Sequence, residues 1–103
     1  MIKVVNSNEF KSEIEKDIVL VDFFAEWCGP CKILSSVLDE LQGEFEDKVN
    51  IIKVNVDNSM DIVQQYNISN IPSLVILKKG KEVQRLIGFS PKQVIKENID
   101  KHL

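Results

Sequence analysis

VDFFAEWCGPCK, residues 21–32, joins two kinds of local pattern. On its upstream side, IVLVDFFA (18–25) is apolar at every position but one. That composition predicts a strand covered on both faces, as in the middle of an α/β sheet. With a side-chain period of two, Ile18, Leu20, Asp22 and Phe24 share one face and Val19, Val21, Phe23 and Ala25 the other. On its downstream side, Ile33, Leu34, Val37, Leu38, Leu41 and Phe45 recur at helical spacing, which predicts one amphipathic helix over 29–45. The chain's only two cysteines, Cys28 and Cys31, fall at the junction.

Outward from that junction the periodicity keeps alternating. IKVV (2–5) is a short extended run, and NSNEFKSEIEK (6–16) is a helix with Asn6 and Ser7 as cap candidates and Phe10 and Ile14 on one face. VNIIKVNV (49–56) is a second buried strand. Ser59 is placed to cap the short helix MDIVQQY, and Asn67 to end it with a left-handed residue. SLVILKKGKEVQRLIG (73–88) is a hairpin turning at Lys79-Gly80. Ser90, Pro91 and Gln93 have the spacing of a capping box with proline at the first helical position, opening a last helix to about 102. The order βαβαβαββα predicts an α/β sandwich around a mixed sheet, with the hairpin as its antiparallel part.

One domain over residues 1–103 is expected from length alone. The chain is 44% apolar and 28% charged, and thirteen basic residues against sixteen acidic give a net charge of −3 with both signs mixed. There is no basic patch to bind phosphate, which argues against nucleic acid. The longest apolar run is too short to span a bilayer and the N-terminal stretch has no signal-peptide core, so neither membrane nor export is expected. The expected location is cytoplasmic. In a reducing cytosol thiols stay free, so two cysteines point to chemistry rather than to a structural staple.

WCGPC places the first cysteine where unpaired helical N–H groups and the helix dipole favour negative charge. A thiolate is the reactive form of cysteine, and a helix N-terminus lowers its pKa from about 8.5. Positions i and i+3 share a helix face, and a small tightening of the first turn brings the two sulfurs to bonding distance. Pro30 fits that turn because its missing N–H has no helical acceptor, and it stiffens the loop. From position, Cys28 lies at an exposed tip and attacks a substrate disulfide; Cys31, one turn inward, resolves the mixed disulfide. Two inert buried cysteines, a zinc site and a cluster bridging two copies are the other readings. Zinc usually takes four ligands, and the chain offers two cysteines and a distant His102. Asp22 reads as a carboxylate whose burial raises its pKa, suiting it to accept the proton of Cys31. Its plainer alternative is an acid that only hydrogen-bonds near the strand end.

VDFFAEWCGPCK resembles the active-site segment of the thioredoxin family. KVNVD (53–57), YNISNIPSLVILKKGK (66–81) and the GFS after the last strand follow in that family's order and spacing. The likeness runs over essentially the whole chain and implies one thioredoxin domain over 1–103. The implied fold is a central five-stranded mixed β-sheet flanked by four α-helices. The resemblance implies Cys28 as nucleophile and Cys31 as resolving thiol, with Gly29 and Pro30 between them and Asp22 as the buried acid. It implies that Lys53 tunes that acid and that Trp27 is a docking surface. Ile71-Pro72 is implied to be a cis bond presenting the Ile71 backbone to an extended substrate segment, with Gly88 lining the same groove. No bound cofactor is implied. Electrons would come from NADPH through a flavoprotein thioredoxin reductase, and the partners would be that reductase and disulfide-containing proteins, met by a monomer.

Three positions depart from the family pattern. Ser36 stands where a helix-kinking proline is frequent, leaving Ser35 and Ser36 to bend the helix through back-bonding to a carbonyl. Phe24 replaces a frequent tryptophan, so Trp27 is the sole tryptophan and its fluorescence reports on the active site alone. Asn67 replaces a frequent glycine and can still adopt a left-handed backbone. The leading expectation is a thiol–disulfide oxidoreductase that reduces protein disulfides. An oxidase or isomerase on the same fold, and a non-enzymatic binding module, are the alternatives.

Overall fold

Five strands and four α-helices are present in the computed structural model, which describes residues 2–103. They are β1 (Lys3–Val4), α1 (Ser7–Glu13), β2 (Ile18–Phe24), α2 (Gly29–Phe45), β3 (Asn50–Asn55), α3 (Met60–Gln65), β4 (Ser73–Lys78), β5 (Lys81–Ile87) and α4 (Lys92–Asp100). The strands form one sheet in the order β1-β3-β2-β4-β5. β2 lies at its centre, parallel to β3 and antiparallel to β4, and β1 pairs parallel with β3.

The two faces of β2 separate as its period-two pattern requires. Ile18 and Leu20 pack with Leu34, Leu38, Leu41 and Phe45 of α2 and Ile95 and Ile99 of α4. Val19, Val21 and Phe23 pack with Phe10 of α1 and Ile62 of α3. Each of these side chains contributes about 1.5–3 kcal/mol of burial, so the central strand is held from both sides. The end of α2 is tied to the sheet by Gln42, whose amide donates to the carbonyls of Glu46 and Val49 and accepts the N–H of Ile51.

Several element ends differ from the sequence reading. The first helix stops at Glu13 instead of 16, because the chain tightens into a turn before entering β2: Glu15 N–H already bonds the Ser12 carbonyl, three residues back. Asn6 caps α1 through a full capping box with Glu9, while the Ser7 hydroxyl goes to Asp61 of α3. The side chain of Ser59 makes no capping bond; its carbonyl accepts from Ile62 and Val63. The Ser90 capping box does not form. Pro91 keeps an extended ψ of 154° and is itself the cap residue, which moves Gln93 to the second helical position, out of reach of a box. The last helix ends at Asp100, followed by a tighter turn. The outer strands are shorter than expected by one or two residues at their ends. Lys79 and Gly80 both have positive φ (51° and 82°), forming the hairpin turn between β4 and β5, and Asn67 ends α3 with φ 53°.

Candidate active site

The site forms where β2 ends and α2 begins, at the sheet's centre. Cys28 is the cap residue of α2, with extended backbone (φ −90°, ψ 110°), and Gly29 and Pro30 occupy its first exposed turn. Cys28 Sγ accepts the Cys31 N–H at 3.2 Å, so the sulfur sits on one of the helix's unpaired donors. The two cysteines are joined as a disulfide with Cα atoms 5.3 Å apart. One expectation fails in detail: Cys28 is not an exposed tip. It is 6% exposed against 3% for Cys31, because the capping geometry turns its side chain back over the first turn. There Ala25, Phe24, Val56 and Ile71 pack around the pair.

The loop before β4 supplies that cover. The Ile71-Pro72 bond is cis and Pro72 is buried. Its carbonyl accepts the N–H of Gly88 at 2.8 Å, and Gly88 holds φ +84°, a left-handed conformation that favours glycine. Ile71, Pro72 and Gly88 are therefore linked, though they come from two different strand ends.

Trp27 is 72% exposed beside the disulfide. Its indole N–H donates to Asp57 Oδ2 at 3.0 Å, and the Asp57 N–H in turn donates to the Asn55 side chain. Trp27, Val56, Met60, Ile68 and Ile71 line a groove of about 230 Å³. Sequence reading did not single out Asp57 or Met60. Asp57 closes the KVNVD stretch, and a polar residue just past a buried strand end was the available signal.

Asp22 lies on the central strand β2, 0% exposed, and among the described residues neither carboxylate oxygen has a hydrogen-bond partner. Burial pushes its pKa up from 3.8 to about 7, and the nearby Lys53 charge pulls it back only in part. Lys53 stands opposite Asp22 in the β2–β3 register. Its ammonium donates to Ser35 Oγ at 2.5 Å and lies 4.9 Å from the centroid of the Phe24 ring. A second cleft of about 380 Å³ is lined by Cys31, Ala25, Glu26, Lys32, Ser35, Lys53 and Phe24. The back-bonding expected of Ser35 and Ser36 is absent among the described residues, where the Ser35 hydroxyl instead accepts from Lys53, and α2 runs unbroken over its 17 residues. Ser35 was missed as a site residue because nothing local announces a lysine partner 18 positions away.

No group of three or more potential ligand side chains is placed to hold a metal among the described residues. Two cysteines three residues apart, joined as a disulfide at a helix N-terminus, with a buried carboxylate on the adjoining central strand, define a thiol–disulfide oxidoreductase. Comparison with known proteins agrees. The chain belongs to the thioredoxin family, whose model, described as Thioredoxin, matches residues 1–101. It is 43% identical to a thioredoxin of Staphylococcus epidermidis over 103 residues, covering all of this chain and 98% of that protein. A Staphylococcus aureus thioredoxin is 41% identical with the same coverage. Among solved structures, a thioredoxin of Plasmodium falciparum superposes with a TM-score of 0.88 at 34% identity, covering all of both chains. A mutant thioredoxin from Halobacterium salinarum reaches 0.89 at 29% identity, over 98% of this chain and 88% of the other. The fold and family inferred from VDFFAEWCGPCK both hold. Thioredoxins need no bound cofactor, and they act on disulfide substrates with a reductase as partner. No helix among the described residues is long and apolar enough to cross a membrane.

Proposed function

We propose that this oxidoreductase works as a reductant of protein disulfides, with Cys28 as nucleophile, Cys31 as resolving thiol and Asp22 as proton acceptor. In the reduced protein the Cys28 thiolate takes the place of the capping sulfur, where the Cys31 N–H and the α2 dipole stabilise its charge. It attacks one sulfur of the substrate disulfide. A Cys28–substrate bond forms, the substrate S–S bond breaks, and the first substrate thiolate leaves and takes a proton. The Cys31 thiol then gives its proton to the Asp22 carboxylate and attacks Cys28 Sγ. The Cys28–Cys31 bond forms, the mixed disulfide breaks and the second substrate thiolate departs. Two electrons have passed from the dithiol to the substrate.

A carboxylate with a pKa of about 7 suits this exchange, being ionised often enough to accept a proton and basic enough to hold it. Lys53 sets the charge around Asp22. Trp27, Ile71, Pro72 and Gly88 form the surface on which an extended substrate segment docks, and Gly29 and Pro30 hold the geometry of the sulfur ring. NADPH, through a flavoprotein thioredoxin reductase, returns the pair to the dithiol. The cytoplasm, which keeps such a pair reduced, is the matching location. Residues 1–103 act as one domain and as a monomer.

The observation that carries this reading is the Cys28 sulfur capping α2 within bonding reach of Cys31. Its test is trapping on a model protein disulfide in the presence of reductase. A Cys31→Ser variant accumulates mixed disulfides with substrate and a Cys28→Ser variant accumulates none. Equal trapping by the two would reverse or abolish the assignment.

A further inference from the structure

Lys53 stands in register with Asp22, yet its ammonium is not seated on the carboxylate. Among the described residues both Asp22 oxygens lack hydrogen-bond partners, while Lys53 Nζ donates to Ser35 Oγ at 2.5 Å and faces the Phe24 ring at 4.9 Å. Ser35 follows Cys31 by four residues, so the two share a face of α2, and both line the same cleft. A lysine head on a flexible four-carbon stem ordinarily keeps to water and samples many rotamers. Here a hydroxyl on the neighbouring helix and an aromatic face on the neighbouring strand hold it in one place.

We propose that Ser35 is a positioning residue for the resolving step: its hydroxyl fixes the Lys53 ammonium in the wall of the Cys31 cleft, where the charge acts on Asp22 through space without pairing with it. This deepens the reading of Asp22 as proton acceptor and rests on it. A direct ion pair would occupy the carboxylate and hold it ionised. An ammonium free to move out into the water would leave burial unopposed. Held by Ser35, the charge moderates the effect of burial while both carboxylate oxygens stay open to a proton.

Few other charges compete for that role. β4 presents Leu74 in register with Asp22, and α4 brings Ile95 and Ile99 to the same core layer. From α2 come Leu34 and Cys31. Glu26 and Lys32 are exposed residues on the rim of the cleft, and Lys92 and Lys96 of α4 are engaged by Glu40, Glu44 and Asp100. Among the described residues, Lys53 is the charged group that faces Asp22 from the elements packed on it.

The test is a carbon-13 NMR titration of the Asp22 side-chain carboxyl in the oxidised protein, for the parent chain and for Ser35→Ala, Ser35→Thr and Lys53→Gln. Alanine is a strong helix former, so Ser35→Ala keeps α2 intact. The Asp22 midpoint rises by on the order of one pH unit in Ser35→Ala, toward the value in Lys53→Gln. Ser35→Thr, which keeps the hydroxyl, titrates like the parent. A midpoint unmoved or lowered in Ser35→Ala, or moved as far by threonine as by alanine, overturns the proposal. The proton-acceptor role is read separately, from the rate at which Asp22→Asn resolves a mixed disulfide. An unchanged rate there removes that role without altering the titration result.

Discussion

Replacing Asp22 by asparagine makes the protein more stable at alkaline pH relative to its parent, and the advantage disappears in acid. The magnitude follows from linkage. Unfolded, Asp22 has an ordinary carboxyl and loses its proton near pH 4; folded and fully buried, it keeps that proton to about pH 7. Between those values the native state binds more protons than the unfolded state, so stability falls as pH rises. The interval from 3.8 to about 7, at about 1.36 kcal/mol per pH unit, corresponds to about 4 kcal/mol. Asparagine has nearly the same shape and no charge to bury, so it lacks this dependence. Its unpartnered amide costs about 1–3 kcal/mol, but that cost does not vary with pH. The assay is urea unfolding of both oxidised proteins at a series of pH values from about 4 to about 8.5, with the difference in stability plotted against pH. The difference grows in favour of Asp22→Asn through the neutral range and levels off above it. Parallel profiles would show that Asp22 titrates alike in both states, and would refute the account of a carboxylate raised by burial.

Two further outcomes check the frame that carries the site. Leu38 is fully buried between α2 and the sheet, so Leu38→Ala lowers unfolding stability by about 2–5 kcal/mol in denaturant titration, with Cys28–Cys31 chemistry intact at low temperature. Gly88→Ala meets no neighbouring atom but must hold φ +84°, so it lowers the melting stability by about 1–2 kcal/mol through backbone strain alone, measured by thermal unfolding.

Much of the fold was legible in short-range patterns. The double-sided apolar run in β2, the helical spacing from Ile33 to Phe45 and the Lys79-Gly80 turn each have local causes, namely period, propensity and permitted dihedrals. Cap assignment was less secure. Ser90, Pro91 and Gln93 matched a capping box, but one extended ψ at Pro91 displaced the register by a residue and the box was lost. In the site, Cys28 and Cys31 were legible from spacing, and the burial of Asp22 from its neighbours on β2. The covering of Cys28 was not, because it depends on Ile71, more than forty positions along the chain.

By itself the amino-acid order determined which segments are strand and helix, that two thiols stand at a strand-to-helix junction, and that an acid must lie inside the sheet. Those are consequences of nearest neighbours and periodicity, which act whatever the rest of the chain does. Only the tertiary structure decided who meets whom: Trp27 with Asp57, Pro72 with Gly88, and Lys53 with Ser35 in preference to Asp22. Such partnerships are chosen when strands and helices from distant parts of the chain are brought together and compete for the same few donors and acceptors, and no local pattern records the outcome.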